Sequence, residues 1–290
     1  MNKKERKILM MKYALYGFAI GDAIGVPYEF RKRHSFRCNG MEKAKFPSQR
    51  FFLPAGTWSD DTATALCLLD AIRYLPDKKK SQRKLISNMR KWLFLGKYSA
   101  TYTPPFDIGV STFKGILSKT ILLPYNSAGE RNNGNGGLMR CFPIAFIDTK
   151  TDEEILDYIK LYIGFTHGHD VSNTACLIYI KILKNVMVGE TLYNAIKNSC
   201  INNFFDINFL SNCSEDEIKS TGYVVDTLNS VLYCLLQTDN FKDAVLKAVN
   251  LGHDTDTIAA LVGCVAGLYY KTIPDNWNIA RQKLLENFCK

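Results

Sequence analysis

The sequence predicts an all-α fold, a single compact orthogonal multi-helix domain, on three observations. Apolar residues recur at helical spacing along most of its 290 residues. Alternation of the strand type is scarce, and no hairpin dipeptide stands between two β-rich runs. No internal repeat, low-complexity tract or shift in composition marks a linker, so residues 1–290 read as one domain.

Helices are expected near residues 4–24, 60–75, 81–95, 108–119, 137–147, 152–164, 170–187, 190–199, 217–237, 239–249, 255–270 and 275–288. Punctuation falls between them. Pro27, Pro47 and Pro54 stand in the long connection after the first helix, Pro104 and Pro105 precede the fourth, and Gly129 to Gly137 precede the fifth. Residues 200–216, rich in Asn, Ser and Asp, read as a surface loop. Two helices are too apolar for the surface. Thr62 to Ile72 holds one charge, Asp70, and Ile258 to Tyr270 holds none and is rich in Ala and Gly. A helix apolar all round is buried, and small residues let its neighbours approach, so these two are expected at the centre.

With 47% apolar and 22% charged residues the chain has the composition of a globular rather than a disordered protein. No apolar run approaches the roughly 18 residues of a membrane span. Lys3, Lys4, Arg6 and Lys7 make the N-terminus basic, but no signal-peptide core follows. The expectation is a cytoplasmic monomer with no membrane association. The nine cysteines, an odd number, include no C-x-x-C pair, and Cys67, Cys176, Cys234 and Cys264 sit in apolar helical patterns as small hydrophobes. This argues against a disulfide framework or a zinc–thiolate site. The net charge of +9 is uneven: residues 1–50 carry twelve Lys and Arg against four Asp and Glu, an excess of eight, densest at Arg31, Lys32 and Arg33. A basic face attracts phosphate-bearing partners. No helix-turn-helix, zinc-finger or RNA-binding signature accompanies it, so nucleic acid is not the favoured partner. The absence of G-x-S-x-G and G-x-x-x-x-G-K-[ST] disfavours a serine hydrolase or a P-loop enzyme.

Two acidic turns carry the chemistry. Ser59-Asp60-Asp61-Thr62 and Asp254-Thr255-Asp256-Thr257 each open one of the two apolar helices. Taken singly, each reads as helix capping, since Ser, Thr and Asp are favoured at N-termini and complement the helix dipole by roughly 0.3–1 kcal/mol. Taken together, they draw up to four carboxylates toward one core. Uncompensated burial of several anions costs many times what a dipole returns. Divalent cations supply the compensation. Carboxylates beside the hydroxyls of Ser59 and Thr257 form a hard oxygen donor set suited to Mg²⁺ or Mn²⁺, and the D-x-D spacing favours two neighbouring ions over one. A third acidic element, Gly21-Asp22-Ala23-Ile24-Gly25, runs into Pro27 and Glu29. Glu29 then lies on a loop just beyond a buried helix end.

These motifs resemble those of the ADP-ribosylglycohydrolase family. The match rests on Gly21 to Glu29, Gly56 to Thr62, Asp107-Ile108-Gly109, Gly134 to Arg140 with Pro143, Thr166-His167 and Gly252 to Thr257, in the family's order from about residue 10 to 272. The resemblance implies an all-α fold with a dinuclear Mg²⁺ or Mn²⁺ centre at the bottom of a cleft. It implies metal ligation by Ser59, Asp60, Asp61, Asp254, Asp256 and Thr257, a place for Glu29 on a mobile loop over the cleft, and a role for Asp107 in orienting the scissile ribose or the acceptor. Two residues depart from the family's habit. Ser59 stands where Thr is usual, and His253 where a second glycine usually follows Gly252. An imidazole there narrows the pocket, adds a ligand or shifts acceptor choice.

Gly134-Asn135-Gly136-Gly137 opens the helix expected from Leu138, and backbone N–H groups at such a start form an anion site suited to a diphosphate. The matching segment of the family makes Asn135, Gly136, Gly137 and Met139 substrate-binding, with His167 on phosphate or ribose. His169 is a poorer candidate, and Tyr125 and Phe106 are weak ones for stacking on adenine. The reaction implied is hydrolysis of the glycosidic bond at the anomeric carbon of ADP-ribose attached to a modified protein, first of all to arginine. The metals hold the ribose hydroxyls and a bridging water. Glu29 or a metal-bound aspartate, with Asp61 the leading one, serves as base, and the transition state is oxocarbenium-like. The intact acidic set favours an enzyme over a non-catalytic ADP-ribose-binding or structural relative, and a hydrolase of free ADP-ribose derivatives is the other rival.

Overall fold

The computed structural model describes residues 1–45, 52–101, 105–121 and 125–289; Pro47 and Pro104, expected as loop markers, lie outside them. In chain order the helices are α1 (Lys3–Gly25), α2 (Asp60–Ile72), α3 (Lys78–Leu95), α4 (Val110–Ile121), α5 (Asp152–Tyr162), α6 (Asp170–Val188), α7 (Leu192–Lys197), α8 (Ile207–Asn212), α9 (Val224–Leu236), α10 (Phe241–Asn250), α11 (Thr255–Tyr270) and α12 (Gln282–Glu286). The strands among the described residues are a two-residue antiparallel pair, Ala44–Lys45 against Phe52–Leu53.

α1 and α11 form the spine. α1 starts with a capping box, in which Asn2 accepts from Glu5 N and Glu5 accepts from Asn2 N. Its first turns are polar and exposed, whereas from Ala14 onward nearly every residue is buried. Along that half the glycines face α11 in antiparallel order. A Cβ on Gly17 would sit 2.1 Å from the Gly263 oxygen, one on Gly21 2.0 Å from the Ala259 oxygen, and one on Gly25 2.3 Å from the Asp256 Cα. The two backbones therefore touch, and the last contact reaches the acidic turn itself. α11 is buried from Thr255 to Leu268 and α2 from Asp60 to Leu69, as their uniform apolarity requires.

The structure shortens several expected helices. Residues 137–147 form two 3₁₀ turns, Leu138–Arg140 and Phe142–Phe146, instead of an α-helix. Pro143 has no N–H to donate and its ring would clash with the carbonyl four residues back. The helix expected over 217–237 begins only at Val224. Before it, Glu215–Glu217 is a separate 3₁₀ turn under a Ser214 capping box, and Gly222 lies against Asp254. The expected loop 200–216 contains α8, because Asp206 accepts from Asn208 N and Phe209 N and so caps a turn. Of the stretch 275–288 only Gln282–Glu286 is α-helical. Contrary to the reading of hydropathy along the sequence, Lys3–Tyr28 and Asp170–Val188 are long and apolar enough to cross a membrane. Within each apolar stretch 61% is buried inside the protein, the pattern of a core helix. All nine cysteines are free.

Candidate functional site

The two acidic turns meet at the ends of α2 and α11, and Asp22 of α1 joins them. At α2, Ser59 Oγ accepts from Asp61 N at 3.3 Å, the capping bond expected of a serine there. Asp22 finishes the cap from outside. Its Oδ1 accepts from Ser59 N at 2.8 Å, and its Oδ2 accepts from Thr62 N at 3.0 Å and from Thr62 Oγ1 at 2.6 Å. Both Asp22 oxygens are thereby used, although the carboxylate lies within 4.8 Å of those of Asp61 and Asp256. Asp22 is a buried anchor, a role that its place in a Gly-x-x-x-Gly stripe concealed.

The α11 turn does not follow the capping reading. Asp254 is the N-cap residue yet makes no capping bond. Its side chain is held by Asn135 Nδ2 instead, which also donates to Thr227 Oγ1 at 3.0 Å. Thr255 Oγ1 donates to the Gly25 carbonyl at 2.8 Å and so locks the turn to the end of α1. Thr257 Oγ1 and Ser59 Oγ both donate to Asp61 Oδ2, at 3.2 and 3.0 Å, so hydroxyls from the two turns converge on one carboxylate.

What remains is a set of carboxylate oxygens without partners. Asp61 Oδ1, Asp256 Oδ2 and Glu29 Oε2 are buried and have no hydrogen-bond partner among the described residues. Asp60, Asp61 and Asp256 are at most 5% exposed. Burial, and then the neighbouring carboxylates, push all three well above the ordinary carboxylate range. Burial raises Asp254 to about 6 against the opposing bonds from Thr257 and Asn135. Glu29, in a second cluster with Asp107 and Asp256 whose oxygens lie within 4.8 Å of one another, is driven up by burial and then by Asp256 and Asp107. Orphaned anions at this density are a demand for cations. The donors are hard oxygens, and no thiol or imidazole belongs to either cluster. The residues fit a divalent ion such as Mg²⁺ or Mn²⁺.

A cleft of about 470 Å³ opens over these groups. Its wall forms a ring of contacts. Glu29 leads to Phe30, whose N–H donates to the His253 carbonyl at 2.7 Å. Asp254 then touches Gly222, and the Gly222 carbonyl accepts from Asn135 N at 3.0 Å. Gly136 adjoins His167 and Thr112, and Asp107 closes the ring on Glu29. Of the residues predicted from sequence, Glu29, Asp60, Asp107, Asn135, Gly136, Met139, His167, Asp254 and Thr257 line this cleft. Ser59, Asp61 and Asp256 lie buried beneath it. Gly137 is buried behind the wall against Ile163 and His167. Phe30, Thr112, Thr221 and Gly222 line it too and carry no motif that would have found them.

One expectation needs correction, and the weaker candidates stay weak. The Gly-rich loop does not open an α-helix, so no helix dipole acts there, although the Gly136 and Gly137 N–H groups have no acceptor among the described residues. His169 caps α6 by accepting from Val171 N at 3.2 Å. Tyr125 donates to the Thr166 carbonyl at 2.9 Å, and Phe106 packs toward Val26 and Leu53, so neither stands on the cleft wall. His253 lines the mouth, exposed, in a left-handed conformation (φ 60°) that favours glycine. Its backbone bonds to Phe30 and Arg31 tie the loop after Glu29 to the α11 turn.

Comparison with known proteins agrees with this geometry. The family model described as ADP-ribosylglycohydrolase matches residues 5–289. The chain is 31% identical to the ADP-ribosylarginine hydrolase Tri1 of Serratia proteamaculans over 291 residues, covering 96% of this chain and 77% of that one. It is 27% identical to the ADP-ribosyl-[dinitrogen reductase] glycohydrolase of Rhodospirillum rubrum, over 91% of this chain and 87% of the relative. A solved structure titled an ADP-ribosylglycohydrolase-related protein complex superposes with a TM-score of 0.75 at 24% identity, covering 99% of this chain and 97% of the other, and so shares the fold. The chain belongs to the ADP-ribosylglycohydrolase family.

Proposed function

We propose that this protein is a metal-dependent hydrolase that releases ADP-ribose from arginine side chains of modified proteins. The observation that carries the reading is the set of unpartnered oxygens on Asp61 and Asp256 beneath one cleft and on Glu29 at its wall. The arginine acceptor is supported by two relatives, each 31% identical to the chain, that are named ADP-ribosylarginine hydrolases. Ser59, Asp60, Asp61, Asp254, Asp256 and Thr257 are the residues to hold two ions, Mg²⁺ or Mn²⁺. When bound, such ions neutralise the buried carboxylates, bind sugar hydroxyls and lower the pKa of water.

The protein's own groups divide the remaining work. Thr257 and Ser59 orient Asp61 through its Oδ2 and leave Oδ1 to face the cluster. Asn135 fixes Asp254 so that the turn keeps its shape as ligand exchanges. Glu29, with a free Oε2, is placed to take the proton of the attacking water once its charge is balanced. Asp107, beside it, orients the ribose or acceptor at the cleft wall. The open face of the Gly134–Gly137 loop supplies amide donors for the diphosphate.

The test is release of ADP-ribose from an arginine-ADP-ribosylated protein with Mg²⁺ or Mn²⁺, repeated in chelator. Release that needs the metal supports the reading. Release that persists in excess chelator overturns the metal centre, and binding of ADP-ribose without release from arginine moves the acceptor to another linkage.

A further inference from the structure

Arg140 is fully buried, makes no salt bridge among the described residues, and spends its guanidinium on two acceptors, the Gly136 carbonyl and Thr166 Oγ1. Thr166 Oγ1 lies 2.9 Å from His167 Nδ1. The hydroxyl has one proton and two candidate acceptors, the Ile163 carbonyl at 3.1 Å and that ring nitrogen. The Ile163 carbonyl already accepts from Thr166 N at 3.0 Å and His167 N at 3.1 Å, which fills its two lone pairs. His167 Nδ1 has no other partner among the described residues. The hydroxyl proton therefore goes to Nδ1, and this also turns the lone pair of the ring, not an N–H, toward the guanidinium. The opposite assignment would crowd a third donor onto one carbonyl and set an N–H dipole against a buried cation.

We infer that Arg140 and Thr166 are positioning residues that hold His167 as the tautomer with its proton on Nε2, facing the cleft as a neutral donor to a phosphate oxygen of the substrate. Where that nitrogen points is fixed by Gly136. A Cβ there would lie 3.1 Å from His167 Nε2 and 3.3 Å from Thr112 Oγ1. Thr112 is 1% exposed, and its hydroxyl has no partner among the described residues. Two side-chain donors thus meet beside Gly136, whose own N–H has no acceptor among the described residues, a donor set that suits an anion. Burial and the nearby guanidinium lower His167 to about 3, which agrees with a neutral ring. The arrangement passes the polarity of a cation through a hydroxyl and an imidazole and places no net charge in the cleft, so the diphosphate is held without competing for the metal ligands. The ligand named here rests on the proposed function; the tautomer does not.

The test reads the tautomer in the free, full-length protein by nitrogen–proton correlation of its four histidines, with His167→Gln used to assign the resonance. The expected result is a protonated Nε2 and an unprotonated Nδ1. Thr166→Val removes the hydroxyl and should abolish that preference and weaken binding of ADP roughly tenfold, whereas Thr166→Ser keeps the hydroxyl and should restore both. On adding ADP the Nε2 proton should shift, and on adding adenosine it should not. A proton on Nδ1 in the free wild-type protein overturns the inference, as does a Thr166→Val protein that keeps the tautomer and the affinity for ADP. If the tautomer is as stated but ADP and ADP-ribose leave Nε2 unmoved, the phosphate assignment falls, and with it the anion half of the inference.

Discussion

Asp22 of α1 binds the start of α2 through Thr62, accepting from both its N–H at 3.0 Å and its Oγ1 at 2.6 Å, while the other carboxylate oxygen takes the Ser59 N–H at 2.8 Å. One buried side chain thus sets the position of the helix that carries Asp60 and Asp61. Asp22→Ala leaves three donors without an acceptor and should cost roughly 3 kcal/mol or more of stability. Chemical denaturation of the purified variant checks this. A loss of activity with unchanged stability would instead make Asp22 a ligand.

The same joint explains a packing prediction. Gly21 sits where a Cβ would be 2.0 Å from the Ala259 oxygen, a backbone atom that cannot swing aside. Gly21→Ala should destabilise by about 3 kcal/mol or prevent the packing of α1 on α11 outright, and it should be worse than Gly189→Ala on the count of space alone, since nothing lies within 4 Å of a Cβ at Gly189. Thermal melts of the two proteins decide it.

The metal-free protein should lose stability as pH rises. Asp22 and Asp254 are lifted to about 6, and Asp60, Asp61, Asp256 and Glu29 are also raised well above the ordinary carboxylate range, all mainly by burial. In the unfolded chain such groups ionise near 4. Between these values the native state holds more protons than the unfolded state, so stability is greatest near the unfolded pKa and falls as pH climbs through 6 and beyond. His167, lowered to about 3, has the opposite sign and loses stability as pH falls below about 6.5. One imidazole is outweighed by that many carboxylates. Melting temperatures from pH 5 to 8 in chelator should decline, and the stabilisation on adding Mn²⁺ should grow over the same range. A flat profile without metal would contradict the electrostatic account.

Removing one repelling carboxylate should separate stability from activity. Asp256→Asn removes a carboxylate whose Oδ2 has no partner among the described residues, so the metal-free variant should melt higher than the wild type. Its turnover should fall by at least about 10²–10³-fold. A parallel fall of both would point to a purely structural role.

His253→Gly should raise stability slightly. The left-handed conformation at φ 60° costs a residue with a Cβ about 1–2 kcal/mol, and glycine returns roughly half of that gain through its freer unfolded state. An increase of about 0.5–1 kcal/mol is expected in denaturation experiments. Because the side chain stands exposed at the cleft mouth, a change in KM with little change in kcat would place it against the acceptor.

Much of this was legible in the residues themselves. The uniform apolarity of Thr62 to Ile72 and Ile258 to Tyr270 placed α2 and α11 at the centre, and the acidic turns before them could not both be mere caps. Local pattern did not reveal that Asp22 serves as an anchor, since capping by a side chain 37 and 40 residues away in sequence is a tertiary event. Nor did it show that the Gly-rich loop leads into 3₁₀ turns, where Pro143 overrides an otherwise helical spacing. Thr112 and Phe30 acquire meaning only from the ring of contacts that closes the cleft. Nothing in the local pattern marks Arg140, whose burial and two acceptors are tertiary features.

The most direct measurement is the rate of ADP-ribose release from an arginine-ADP-ribosylated protein, for the wild type and Asp256→Asn, with Mn²⁺ or Mg²⁺ and in chelator. The account predicts release by the wild type with metal, none in chelator, and loss of at least about 10²–10³-fold in the variant. Equal release by the wild type in chelator, or by Asp256→Asn with metal, would contradict it.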